Sequence, residues 1–274
     1  MAVTMAEIQH LRKMTGAGMM DCKSALTESE GDFDKAIEII RKKGQAVAAK
    51  REDREAAEGC VLAATNGEYA AIVAVKCETD FVAKNEDFIA MVRKILNVAL
   101  EKQPKNAEEL TALSVEGRTV SELITDRIGV TGEKMELGAY EFLNAASTIF
   151  YIHPGNKLAT IAGFNQAGVE NQVAKDVAMQ IAAMNPISVD VDSVPADIIE
   201  REKKIAREKA QEQGKPENIL DRIAEGALQK YYKDFTLLQQ DFVKDSKITI
   251  NDYLKKQNKD LTVTGFKRVN LNVE

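Results

Sequence analysis

The chain has 274 residues, of which 45% are apolar and 29% are charged, with a formal net charge of -6. This length indicates two or three structural units. The acidic balance disfavours a protein that holds nucleic acid by neutralising phosphates, and no apolar run approaches the length of a membrane span. The charged N-terminus lacks the continuous apolar stretch of a signal peptide. Cys22, Cys60 and Cys77 are scattered, so we expect reduced thiols of a cytoplasmic protein and no metal site.

The N-terminal region predicts a bundle of short helices. Thr4 and Glu7 can form a capping box, in which each side chain satisfies the other residue's free backbone N–H. A second helix is predicted over residues 19–27. Asp32 can cap a third helix, and Gly44 is expected to lie beyond its end.

After a predicted helical linker over residues 45–58, the pattern changes to that of strands. The apolar segments 60–65 and 69–77 flank Asn66-Gly67, which predicts a β-hairpin with a type I′ turn because this pair accepts the positive φ angles of that turn. A polar corner at residues 78–80 leads into a helix. Its apolar stripe is expected to be buried: Phe88, Met91, Val92, Ile95 and Leu96.

A second, weaker copy of this plan follows a helix near residues 121–128. Residues 158–164 are typical of a strand, and residues 173–184 are typical of a helix. Val-Ala-Lys occurs near the helix start in both copies, at 82–84 and 173–175. This indicates a duplicated strand–helix unit.

The C-terminal third begins with a highly charged segment in which acidic and basic residues balance. Gly214 and Pro216 separate two helical patterns, which predicts a projecting, solvated helical hairpin over about residues 187–229. The final strand is predicted over residues 261–273, ending at Val273. Because Phe266 is out of phase with the alternation, Gly265 is expected to mark a bulge.

Motifs for chemistry are absent from the sequence. A phosphate-binding loop needs Lys and Ser or Thr after its last glycine, whereas Val169-Glu170 follow Gly168. His10 and His153 are the only histidines, the residue type that most often serves as acid or base, and we expect both to be structural or exposed. Cys22 is expected to be a small buried residue and not a nucleophile. No enzymatic activity, cofactor or nucleotide site is expected.

Two segments resemble a known family. Residues 11–44 are very similar to the N-terminal domain of bacterial elongation factor Ts, which is a three-helix, UBA-like fold. Residues 77–88, CETDFVAKNEDF, resemble the family's Thr-Asp-Phe-Val-Ala-Lys signature. Residues 151–159 and 214–245 resemble later parts of the family, so the resemblance covers the whole chain. Two stretches depart from the family pattern: Asn156-Lys157 stand where Gly-Arg is usual, and Leu137-Gly138-Ala139 replaces a stretch that usually has paired Arg.

The resemblance implies an α+β fold: a UBA-like three-helix domain with linker (1–54), then two related core subdomains (55–140 and 141–274) with antiparallel sheets and helices. It also implies a guanine-nucleotide exchange factor for the GTPase elongation factor Tu, without nucleic-acid or membrane partners. The segment expected beside the partner's Mg²⁺ site is Thr79, Asp80, Phe81 and Val82, with Phe81 wedged between helices of the GTPase. Secondary partner contacts are expected at Arg12, Met19, Met20 and His153.

Residue patterns alone leave alternatives open. Phe81 lies on the same helical face as Phe88, which favours packing in the core, whereas Asn85-Glu86-Asp87 is a better helix start and favours a protruding turn. Met19 and Met20 could be core or an adaptable contact surface. For the chain as a whole, the alternatives are a ribosome- or RNA-associated structural protein and an enzyme that uses Cys77 or His153.

Overall fold

The computed structural model describes residues 3–272 and has the predicted α+β class. Its N-terminal bundle consists of α1 (Met5–Thr15), α2 (Met19–Glu28) and α3 (Phe33–Ala49). Thr4 and Glu7 form the predicted capping box, and Asp32 caps α3 by accepting from the backbone N–H of Lys35 at 3.1 Å. The bundle is held by a small buried core: Ile8, Leu11, Ala17, Cys22, Ala25, Leu26 and Ala36.

The first half of the core alternates strands and helices. It comprises β1 (Glu58–Thr65), β2 (Tyr69–Cys77), α4 (Asp80–Ala83), α5 (Glu86–Lys102), α6 (Ala107–Ala112), β3 (Ser114–Val115), β4 (Arg118–Thr119), α7 (Val120–Thr131) and β5 (Met135–Asn144). Strands β1, β2 and β5 form an antiparallel sheet in the order β1–β2–β5, and β3 pairs with β4. The apolar stripe predicted for α5 is buried against this sheet.

The end of α3 differs from the sequence prediction. Gly44 lies inside the helix and is buried, and the predicted helical linker is helical only as far as Ala49. The reason is a helix crossing, since α3 packs against α7 with Gly44 facing Gly129. A Cβ atom on Gly129 would lie 2.6 Å from the Cα of Gly44. Glycine is required here for the close approach of two backbones and not for helix termination.

The hairpin between β1 and β2 has a different turn from the predicted type I′. The register pairs Thr65 with Ala70, and of Asn66 and Gly67 only Gly67 has a positive φ, 111°. The Asn66 side chain accepts hydrogen bonds from the backbone N–H groups of Glu68 and Tyr69, at 3.3 and 2.9 Å. Asn66 is thus the first residue of the turn, and its backbone N–H donates to the backbone oxygen of Tyr69 at 3.0 Å, so the turn is centred one residue later than predicted.

The second half of the core repeats the combination of a sheet and helices. It comprises β6 (Ser147–Ile152), β7 (Leu158–Phe164), α8 (Asn171–Met184), α9 (Ala196–Glu212), a 3₁₀ turn (Glu217–Ile219), α10 (Leu220–Phe235), β8 (Asp241–Phe242), β9 (Asp245–Thr249), α11 (Ile250–Gln257) and β10 (Val263–Asn270). The sheet order is β10–β7–β6, all antiparallel, and β8 pairs with β9. A register shift between Val263 and Gly265 confirms the predicted bulge, whereas Val273 lies outside the described residues.

Helices α9 and α10 form the helical hairpin, and Gly214 lies between them with a φ of 72°. The repeated Val-Ala-Lys does not occupy equivalent positions, because residues 82–84 end the short helix α4 and residues 173–175 lie within α8. The two halves of the core therefore share the plan of a sheet and a helix but not this tripeptide.

The two larger sheets pack against each other. Among the described residues, the fully buried side chains of their shared layer are small or aliphatic: Val61, Ala63, Ala70, Ile72, Ala74, Ala159, Ile161 and Val269. The burial of α5 against the first sheet and of α8 against the second completes the layers. Among residues 3–272, no helix combines the length and apolar character needed to cross a bilayer.

Candidate partner-binding site

The turn after β2 presents an aromatic ring to solvent. Thr79 caps the four-residue helix α4, and its hydroxyl accepts from the backbone N–H of Val82 at 3.4 Å. The next helix, α5, is capped by Asn85, whose side chain accepts from the backbone N–H of Phe88 at 3.2 Å. Because the helix is interrupted between them, Phe81 and Phe88 do not share a face: Phe81 is 83% exposed and Phe88 is fully buried. The core-packing alternative for Phe81 is therefore wrong, and the ring protrudes.

The neighbours of Phe81 anchor the turn. Val82 is half-buried and packs against the core of the first sheet, and Ala83 is buried. Asp80 forms an ion pair with Lys84 at 2.7 Å, and the hydrogen bond from Lys84 lowers the pKa of the Asp80 carboxyl. Lys157, one of the residues that depart from the family pattern, contributes a smaller effect in the same direction. Asp80 is thus ionised at neutral pH beside the exposed ring.

A carboxylate from a distant part of the chain holds Thr79. The backbone N–H of Thr79 donates to Oε2 of Glu133 at 3.1 Å, and its hydroxyl donates to Oε1 at 2.6 Å. Glu133 follows Gly132, which ends α7 with a φ of 73°. Charged acceptors make the stronger hydrogen bonds of proteins, so this contact restrains the N-terminus of α4.

A second carboxylate makes the reverse connection. Oε1 of Glu78 accepts from the backbone N–H of Lys134 at 2.6 Å, and Oε2 accepts from Arg54 at 2.9 Å. The bond from Lys134 lowers the pKa of Glu78. Nζ of Lys134 donates to the backbone oxygen of Glu52 at 2.9 Å, which ties the segment after α3 to the same corner. Sequence reasoning identified the polar corner with Glu78 and Thr79 but missed the contacts with Glu133, Lys134 and Arg54, because these residues are distant in sequence.

Cys77 and His153 lack the features of catalytic groups. The Cys77 thiol is fully buried, donates to the backbone oxygen of Thr79 at 3.2 Å, and burial raises its pKa to about 12. A nucleophilic cysteine needs an accessible thiolate, which this environment disfavours. His153 is exposed, and its Nδ1 lies 2.9 Å from the hydroxyl of Tyr151. In the described part of the chain, no cluster of His, Cys, Asp or Glu has the form of a metal site.

The other predicted contact residues lie on separate elements. Arg12 is exposed in the last turn of α1, and Met19 and Met20 are 38% and 75% exposed at the start of α2. Both methionines are therefore surface residues of the bundle. His153 follows β6, in the second half of the core. The structure thus brings residues 79–82 together in one turn and distributes the remaining four over α1, α2 and the segment after β6.

Comparison with known proteins gives consistent matches. The family model described as Elongation factor TS matches residues 78–273. Proteins named Elongation factor Ts from Azobacteroides pseudotrichonymphae and Porphyromonas gingivalis are each 67% identical to this chain, with 100% of both sequences covered. The Elongation factor Ts of Amoebophilus asiaticus is 51% identical over 98% of this chain and 99% of its own.

These matches place the chain among the translation elongation factors. The chain belongs to the elongation factor Ts family.

Proposed function

We propose that the chain is a guanine-nucleotide exchange factor for elongation factor Tu, acting in the cytoplasm. It binds the GDP-bound GTPase, perturbs the Mg²⁺ and phosphate site, and promotes GDP release so that GTP can bind. The observation that carries this proposal is the exposure of Phe81 on a turn whose other residues are anchored. An aromatic ring that the chain does not bury itself can fill a pocket on another protein, as the aromatic anchors of protein interfaces do.

The mechanism requires coupling and no bond-making chemistry. Binding of the exchange factor must lower the affinity of the GTPase for GDP. GDP must lower the affinity of the GTPase for the exchange factor by the same ratio. Each tenfold weakening requires about 1.4 kcal/mol. Full burial of a Phe side chain stabilises by roughly 1.5–3 kcal/mol. Insertion of Phe81 therefore accounts for about a ten- to hundredfold weakening of GDP binding. Residues 79, 80 and 82 place the ring beside the Mg²⁺ site of the GTPase.

The secondary contacts supply binding that is common to the nucleotide-bound and empty GTPase. Arg12, Met19 and Met20 form one such surface on the bundle, and His153 contributes another from the second half of the core. Methionine side chains adapt to irregular apolar partners, and two exposed ones side by side suit a protein surface. We expect these contacts to set affinity more than the rate of GDP release.

We also infer that the chain is not an enzyme and binds no nucleotide itself. The buried Cys77 thiol and the exposed His153 offer no converging acid, base and nucleophile. The net charge of -6 disfavours the alternative of an RNA-associated structural protein, which would need a basic surface.

Stopped-flow release of fluorescent GDP from elongation factor Tu tests the proposal. The wild-type chain should accelerate release, and Phe81→Ala should slow it by about ten- to hundredfold at a fixed factor concentration. Phe235→Ala is a matched control, because Phe235 is an exposed Phe of α10 and lies far along the chain from the turn. With Phe235→Ala, elongation factor Tu should release GDP at the rate seen with the wild-type chain.

Three outcomes would contradict the proposal. If Phe81→Ala accelerates GDP release as fast as the wild type, the proposed insertion of Phe81 is wrong. If the wild-type chain does not accelerate release, the proposed exchange function is wrong. Binding of fluorescent GDP to the chain alone would contradict the absence of a nucleotide site. Salt-sensitive binding of RNA, measured in parallel, would favour the structural alternative.

A further inference from the structure

The Phe81 turn is joined to the segment after α7 by paired carboxylate contacts. Strands β2 and β5 pair as far as Cys77 and Met135. Beyond this pair, the segment that follows β2 and the segment that precedes β5 leave the sheet. There, Glu133 accepts the backbone N–H of Thr79, and Glu78 accepts the backbone N–H of Lys134. Side-chain oxygens thus continue the sheet connection where backbone carbonyls no longer meet.

The short helix α4 depends on this connection. It has four residues, so it has few internal hydrogen bonds to hold it. Phe81 is 83% exposed and adds little packing of its own. Besides its own cap and the Asp80–Lys84 ion pair, the turn is restrained by the packing of Val82 and Ala83 and by hydrogen bonds of Thr79 to Cys77 and Glu133. The two bonds to Glu133 are the ones that reach the turn from the segment after α7.

Glu133 is itself held by a long helix. It follows the C-terminal end of α7, and its own backbone N–H donates to the hydroxyl of Thr131 at 3.3 Å. Helix α7 packs against α3 through Gly44 and Gly129. The backbone of Glu133 is thus attached to a helix that packs against the bundle, and the carboxylate connects α4 to it through Thr79.

We propose that Glu133 is a positioning residue for nucleotide exchange, which holds Thr79 and so directs Phe81 at the partner GTPase. The inference rests on the proposed function of Phe81. Glu133 does not contact the GTPase in this scheme, and its effect on exchange passes entirely through the aromatic ring.

The test is a double-mutant cycle in the GDP release assay. Glu133→Ala should slow release by about tenfold, the effect of losing hydrogen bonds to a charged acceptor. In the Phe81→Ala background the same change should have no further effect, because no ring remains to be directed. Glu133→Gln keeps one acceptor oxygen for the Thr79 hydroxyl but places a donor near the Thr79 N–H, so its release rate should be intermediate.

Amide hydrogen exchange gives a readout that does not depend on the partner. In Glu133→Ala, peptides covering residues 78–85 should exchange faster, while the rest of the chain keeps its protection. Glu122→Ala is the matched control: Glu122 accepts from the backbone N–H of Thr119 at 2.9 Å at the other end of α7. It should leave both GDP release and the exchange of residues 78–85 at wild-type values.

GDP release and amide hydrogen exchange together separate the positioning role of Glu133 from the insertion of Phe81 into the GTPase. Equal slowing by Glu133→Ala with and without Phe81, or unchanged protection of residues 78–85, would overturn the positioning role. If Phe81→Ala alone leaves release unchanged, the proposed wedge is wrong. In that case faster amide exchange in Glu133→Ala would still support the contact as the restraint on α4, and unchanged exchange would overturn it.

Discussion

The crossing of α3 and α7 gives a prediction with an unusual asymmetry. A Cβ atom on Gly129 would lie 2.6 Å from the Cα of Gly44, whereas a Cβ atom on Gly44 would lie 3.4 Å from the Cα of Gly129. Ordinary carbon contacts are about 3.5–4.0 Å, so Gly129→Ala forces the helices apart by about 1 Å and Gly44→Ala forces almost no movement.

The magnitudes follow from two opposing effects. Ala is favoured over Gly in a helix interior by about 1 kcal/mol, and overpacking costs about 1–3 kcal/mol. We therefore expect Gly129→Ala to lower the free energy of unfolding by up to about 2 kcal/mol. Gly44→Ala should leave it unchanged or raise it by up to about 1 kcal/mol, because there the helix propensity is gained without a severe clash.

Equilibrium urea unfolding followed by far-ultraviolet circular dichroism measures both variants, since the chain has no tryptophan for fluorescence. Gly129→Ala should have the lower midpoint and Gly44→Ala should equal or exceed the wild type. A Gly129→Ala midpoint at or above that of Gly44→Ala would refute the close approach of the two helices.

Two further predictions concern the core and its thiols. Phe88→Ala should lower the free energy of unfolding by about 3–5 kcal/mol because the ring is fully buried, whereas Phe81→Ala should leave the urea midpoint unchanged; similar midpoints would contradict their different burial. Burial raises the pKa of Cys60 and Cys77 from the ordinary value of 9.0 to about 12, so the unfolded chain ionises first. Stability should therefore fall between pH 9 and pH 12, by up to about 1.4 kcal/mol per thiol per pH unit, and Cys77→Ala should show a shallower fall; an unchanged slope would refute the assignment.

Local features of the fold could be predicted from the sequence where the signal lies within a few residues. The Thr4 capping box, the Asp32 cap and the buried stripe of α5 depend on residues within one or two turns of each other, and the structure has all of them. The bulge near Gly265 was visible as a break in the alternation of one strand.

Features set by distant residues could not be predicted. Gly44 was expected to end α3, and nothing near it in sequence indicates that Gly129 faces it. One local feature is also missed: the Asn66 side chain shifts the turn by accepting from two nearby backbone N–H groups, a competition that the Asn-Gly rule does not resolve.

The candidate site shows the same division. Helical periodicity favoured a buried Phe81, and the strength of the Asn85 cap was the local signal that favoured exposure. Glu133 could not be found by either route, because its contact with Thr79 exists only once β2 and β5 have paired.

The shared layer between the two larger sheets has a consequence for how the factor tolerates dilution. Both sheets belong to one polypeptide, so their association is unimolecular and its effective concentration does not depend on the amount of protein present. An assembly that built this layer from separate chains would come apart at low concentration. Here the halves stay together however dilute the chain becomes, and the geometry of the Phe81 turn relative to the second sheet is preserved with them.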